Sequence, residues 1–123
     1  MDTYSDPRPD NIDPIHRLED DLKLVSEYPA RFPRTNKLIA AGAAQQAKKM
    51  LEEAAELAIE ALRKDRDAAV IEAADLVYNL VVLLEGMDIR FDDVCAELER
   101  RRATYGIAAK QHKNGSGPDS PDG

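Results

Sequence analysis

The sequence predicts an all-α protein, an antiparallel bundle of about four helices whose core is completed by dimerisation. Three observations carry that expectation. Apolar residues recur at helical spacing, as in Ile15, Leu18, Leu22 and Val25. Helix start and stop signals bracket such segments, with Asp13-Pro14 at one start and Gly86 at one end. Sustained two-residue alternation is missing, and β-branched runs are scarce outside the stretch from Ala68 to Leu84.

The first helix opens at Asp13-Pro14, an N-cap followed by proline at the first helical position, and ends before Pro29 and Pro33, which impose an extended link. The second runs from near Thr35 to Arg63, with a bend expected at Gly42. The third starts around residues 65–67 and closes at Gly86 as a C-cap. The fourth extends from Asp92 to the neighbourhood of Lys110. Residues 1–11, rich in Asp and Pro, read as a loose arm. Residues 112–123 have linker composition and are expected to be disordered, which leaves residues 12–111 as the folded domain.

Composition narrows the function. The net charge of -7 argues against a protein that holds nucleic acid by general electrostatics, because the phosphate backbone rewards clustered Lys and Arg. A nucleotide remains an acceptable substrate if a divalent cation lies between the two anions. Cys95 is the only cysteine, so neither an internal disulfide nor a cysteine-based zinc site can form. No signal peptide is evident, and the most apolar run carries Glu72 and Asp75. A cytoplasmic protein that leaves membranes alone is expected.

The third helix carries the sharpest signal. Glu72, Asp75 and Asn79 fall within a wedge of about 60°, and the residues around them are Ala, Val, Leu and Ile. An unpaired carboxylate in such surroundings costs several kcal/mol, so a positive group is required there. Arg100, Arg101 and Arg102 are the candidate ion-pair partners if the role is structural. The second helix supplies Glu52, Glu53 and Glu56, which converge at one-turn spacing. The short link at residues 64–67 makes these two helices antiparallel neighbours, so the acidic stripes face each other. Carboxylates without nearby His or Cys describe a hard-cation site, Mg²⁺ first, with Mn²⁺ able to substitute. A di-iron bundle would need histidines on these helices, and His16 and His112 lie elsewhere.

Glu52-Glu53-x-x-Glu56, fifteen residues, then Glu72-x-x-Asp75 resembles the signature of the all-α nucleoside triphosphate pyrophosphohydrolases of the MazG type. Within that superfamily the chain is most similar to the phosphoribosyl-ATP pyrophosphohydrolases of histidine biosynthesis. The likeness covers roughly residues 15–111 and rests on Lys48 to Glu56, Glu72 to Leu84, Glu97 to Arg101, Gly106-Ile107-x-x-Lys110 and Thr35-x-x-Leu38-Ile39-x-x-Gly42. Pro33-Arg34 stand where the family usually has Ser and an aromatic residue, Leu51 where it has Gly, and Asn79 where it has His.

The resemblance implies Mg²⁺-dependent hydrolysis of phosphoribosyl-ATP to phosphoribosyl-AMP and pyrophosphate. It implies metal ligands at Glu52, Glu53, Glu56, Glu72 and Asp75, with Glu53 expected to activate water. Lys49 either reaches a phosphate or is simply solvated. Arg100, Arg101 and Lys110 either contact substrate or favour a helix C-terminus. Thr35 reads as a helix cap first and a phosphate ligand second, and Asn79 lies on the acidic face toward substrate. Tyr78 and Cys95 read as core, and His16 as solvated. Two other functions stay open at this point. One is a house-cleaning pyrophosphohydrolase for other nucleotides; the other is a non-catalytic helical dimerisation module.

Overall fold

The computed structural model describes residues 5–8 and 13–105. Among them every regular element is helical: α1 (Pro14–Leu24), a 3₁₀ turn (Pro29–Arg31), α2 (Pro33–Ala41), α3 (Ala43–Arg63), α4 (Arg66–Gly86) and α5 (Phe91–Tyr105). The expected all-α class holds, with five helices where about four were expected. Helix boundaries beyond Tyr105, the tail and Lys110 lie outside the described residues. So does most of the arm; of its described part, Arg8 bonds Asp6, Asp21 and the Arg17 carbonyl.

The extra helix comes from Gly42. Its backbone sits at φ 91°, ψ 170°, a region that essentially only glycine occupies, so the expected bend is a full break between α2 and α3. Gln46 ties the two pieces together, its side-chain amide donating to the carbonyls of Leu38 and Ile39 at 3.2 and 3.4 Å.

α3 and α4 are each 21 residues, about 31 Å long at the usual rise, and form the main packing surface of the residue 1–90 unit. The reversal between them is tight. Lys64 takes a left-handed conformation as the C-cap of α3, and Asp65 caps α4 by accepting from the Ala68 amide. α1 packs on α4 and α2 on α3. Asp13 caps α1, accepting from the Ile15 and His16 amides, and it also meets the His16 ring, so His16 is engaged rather than merely solvated. α4 ends at Gly86, where the sequence places its end, but Gly86 is the last helical residue rather than the cap, and the left-handed residue that turns the chain is Asp88.

Among the described residues, Leu22, Val25, Val81 and Val82 are the buried apolar ones, and five polar ones share the interior: Glu19, Thr35, Gln46, Glu53 and Asn79. Glu19 meets the Arg90 guanidinium at 3.0 Å, which pins α1 to the segment after α4.

The second compact unit begins at Phe91. Asp92 and Asp93 lie in the first turn of α5 and Arg102 in its last, the polarity the helix dipole favours. Cys95 is exposed, against the expectation that it packs as a small apolar residue.

Candidate active site

The two acidic stripes do face each other. Antiparallel pairing of α3 and α4 brings Glu53, Glu56 and Glu72 together, each offering a carboxylate oxygen within 4.8 Å of the others. Glu53 is 7% exposed and Glu72 half-buried. One oxygen of each, Glu53 Oε1 and Glu72 Oε1, is buried without a hydrogen-bond partner. Burial, and then the nearby Glu53 and Glu56 carboxyls, push Glu72 up to about 7. Orphaned buried carboxylate oxygens converging on one point, with no His or Cys among them, fit a hard divalent cation.

The other two expected ligands stand beside this cluster. Glu52 faces a neighbouring cavity. Asp75, one turn beyond Glu72, lies 3.7 Å from the Arg34 guanidinium. The cation next to Asp75 is therefore supplied by α2. Arg100 and Arg101 both hold Glu97, at 2.6 and 3.1 Å, and keep its carboxyl down at about 2.

Lys49 Nζ lies 3.8 Å from Glu53 Oε2, one turn along α3. Asn79 is 1% exposed; its amide donates to the Asp75 carbonyl at 2.8 Å, and its Oδ1 is buried without a partner. Thr35 is not a cap. α2 starts at Pro33 behind Phe32, and the Thr35 hydroxyl instead meets Tyr78 Oη at 2.7 Å. Tyr78 is only partly buried, and Arg34 lies over its ring at 4.8 Å from the centroid.

A cavity of about 430 Å³ opens among α2, α3 and α4, lined by Arg34, Lys37, Leu38, Ala41, Gln45, Lys49, Glu52, Tyr78 and Asn79. Sequence reasoning took Lys49, Glu52 and Asn79 as site residues and missed Arg34, Lys37 and Gln45. A signal was present. Arg34, Lys37, Leu38 and Ala41 recur at i, i+3, i+4 and i+7, as Gln45, Lys49 and Glu52 do at i, i+4 and i+7, so each set marks one helix face.

Two long helices aiming glutamates at one point beside a cation-lined cavity are the layout of a helical enzyme that cleaves phosphoric anhydrides. The family model described as phosphoribosyl-ATP pyrophosphohydrolase matches residues 16–102, and the chain belongs to that family. It is 47% identical over 96 residues to a phosphoribosyl-ATP pyrophosphatase of Agrobacterium fabrum, covering 76% of this chain and 90% of that one. The corresponding protein of Methylobacterium nodulans is 53% identical over 96 residues, with the same coverage. A phosphoribosyl-ATP pyrophosphatase 2 of Rhodopseudomonas palustris is 38% identical over 110 residues, 89% of this chain and 84% of that one.

Proposed function

We propose that this chain hydrolyses phosphoribosyl-ATP to phosphoribosyl-AMP and pyrophosphate, as a cytoplasmic, Mg²⁺-dependent homodimer acting in histidine biosynthesis. The observation that carries the chemistry is the convergence of Glu53, Glu56 and Glu72 with two buried oxygens left unpartnered. These three, with Glu52 and Asp75 alongside, are assigned to hold Mg²⁺. A Mg²⁺ ion held there would supply positive charge to the phosphate oxygens and to the leaving pyrophosphate.

The remaining work belongs to the chain. Water adds across the α–β anhydride; the P–O bond to the leaving group breaks as a new one forms from the water oxygen. Glu53 is assigned to orient that water and accept its proton, because its Oε1 is buried beside the cluster with no partner of its own. Lys49, at one turn from Glu53, is assigned to a phosphate oxygen of the substrate. Asn79 and Thr35 support the substrate side, Asn79 with its unpartnered Oδ1 and Thr35 by holding Tyr78.

Dimerisation rests on surface that one chain leaves wet. Leu51, Ile59 and Leu62 on α3 and Val70 and Ile71 on α4 are exposed, Leu62 by 84%, while the buried apolar residues are few. Large apolar side chains left exposed on two facing helices favour an interface. None of the helices among the described residues is long and apolar enough to cross a membrane.

The test of the substrate is pyrophosphate release against a panel of phosphoribosyl-ATP and the common nucleoside triphosphates. Preference for phosphoribosyl-ATP is expected. Efficient turnover of another triphosphate in its place would give the chain to the house-cleaning reading.

A further inference from the structure

We propose that the cavity among α2, α3 and α4 is the receptor for the phosphoribosyl end of the substrate, with Arg34 and Lys37 reading its monophosphate and Asn79 its sugar. This rests on the proposed substrate and says which residues select it.

The lining is unusual for a chain with a net charge of -7, because Arg34, Lys37 and Lys49 outnumber the single carboxylate, Glu52. An anion is what such a wall binds. The triphosphate meets that demand only at Lys49, since the proposed function brings it to Glu53, Glu56 and Glu72, none of which lines the cavity. With Lys49 given to the triphosphate, a substrate with one anionic tail would leave Arg34 and Lys37 facing a neutral nucleoside. Phosphoribosyl-ATP carries a second anion, the 5-phosphate on its other ribose.

The floor of the cavity asks for a different group. Asn79 lines it, is 1% exposed, and keeps Oδ1 buried without a partner while its amide is fixed on the Asp75 carbonyl. An orphaned acceptor in that position costs free energy until a ligand donates to it. Cations at the wall and an acceptor at the floor together describe a phosphorylated sugar, which brings an anion and hydroxyl donors on one small frame. About 430 Å³ is near the lower end of small-molecule sites, ~300–1,000 Å³, suited to one end of this large substrate.

Arg34 is positioned in advance. The Thr35 hydroxyl fixes Tyr78 at 2.7 Å, and the guanidinium lies across that ring, 4.8 Å from its centroid. Its ion pair with Asp75 is long, 3.7 Å, and leaves other guanidinium hydrogens for a phosphate. Thr35 and Tyr78 are then positioning residues, acting through Arg34.

The test uses the full chain and two readouts. In the first, ribose 5-phosphate is titrated into the protein by calorimetry in EDTA, which removes any contribution from a cation at the carboxylates. Saturable binding is expected, weaker by roughly tenfold or more in both Arg34→Met and Lys37→Met, with ribose failing to compete. Lys37→Met keeps the test valid if Arg34→Met disturbs the fold through Asp75. In the second, the KM for phosphoribosyl-ATP in Lys37→Met is compared with the inhibition constant of ATP. The KM is expected to rise by roughly tenfold more than the ATP constant. No binding of ribose 5-phosphate, equal affinity in both variants, or equal losses for the two nucleotides would overturn the assignment. A wild-type chain that binds ribose 5-phosphate but does not turn over phosphoribosyl-ATP would sink the proposed function while leaving the pocket's chemistry standing.

Discussion

Glu72 links the site to the stability of the fold. Its carboxyl is raised to about 7 from an ordinary 4.5, chiefly by burial and then by Glu53 and Glu56. A raised carboxyl stabilises the fold in its protonated form. That contribution is complete below about 4.5 and is lost as pH rises through about 7. The metal-free protein is therefore expected to melt lower at about pH 8 than at about pH 5, and Glu72→Gln should flatten that decline. Glu97, held at about 2 by Arg100 and then Arg101, changes stability only as pH falls below 4.5, outside this window. A cation has to displace the Glu72 proton, so apparent Mg²⁺ affinity should rise with pH up to the neutral range. Calorimetric melting with and without EDTA checks both; a melting point that climbs from about pH 5 to about pH 8 without metal would contradict them. The acidic residues were legible because Glu72 and Asp75 interrupt an otherwise apolar helix. What periodicity cannot specify is which carboxylates meet, since that depends on the roll of α3 against α4. Glu53 turned inward to meet Glu72 and the exposed Glu56, Glu52 toward the cavity, and Asp75 toward Arg34.

At the level of elements, the two turn residues at opposite ends of α3 are set in opposite ways. Gly42 holds a backbone conformation closed to other residues, although a methyl group added there would meet nothing within 4 Å. Gly42→Ala is thus expected to destabilise by ~1–3 kcal/mol through backbone strain alone. Lys64 holds a left-handed conformation at φ 60° against its side chain's preference. Lys64→Gly should stabilise by about 1 kcal/mol, since glycine is the residue that such a C-cap favours. Chemical denaturation measures both, and a neutral Gly42→Ala would mean that α2 and α3 can join without the break. Helix existence was readable from apolar spacing and from Asp13-Pro14. The break at Gly42 appeared in the sequence only as a bend, because glycine marks permission to turn without saying how far. The cap of α4 was less legible for a related reason: the helix ends at Gly86 as expected, but Asp88, two residues later, adopts the left-handed turn. Arg90 is a different case, a cation whose buried partner Glu19 lies 71 residues away and leaves no local trace. Arg90→Met should cost about 2 kcal/mol, under the ~3–5 kcal/mol of a fully buried pair because Arg90 itself is partly exposed.

Across the whole molecule, an acidic chain is reconciled with a polyanionic substrate by separating its charges. Carboxylates gather between α3 and α4, where the proposed cation would offset them, and Arg34, Lys37 and Lys49 gather around the adjoining cavity. The apolar faces left exposed on α3 and α4 would form the seam of the proposed dimer. Sedimentation equilibrium at micromolar concentration should return twice the 13.6 kDa chain mass, and Leu62→Glu should shift the species toward the monomer. A clean monomer in the unaltered protein would mean that this surface is covered some other way. The most direct test of the account is a Mg²⁺ titration of pyrophosphate release from phosphoribosyl-ATP, run on the unaltered chain and on Glu56→Gln. Saturable activation that EDTA abolishes, and turnover lost by roughly two orders of magnitude or more in Glu56→Gln with helicity intact, is the predicted result. Full turnover in excess EDTA, or an unimpaired Glu56→Gln, would contradict it.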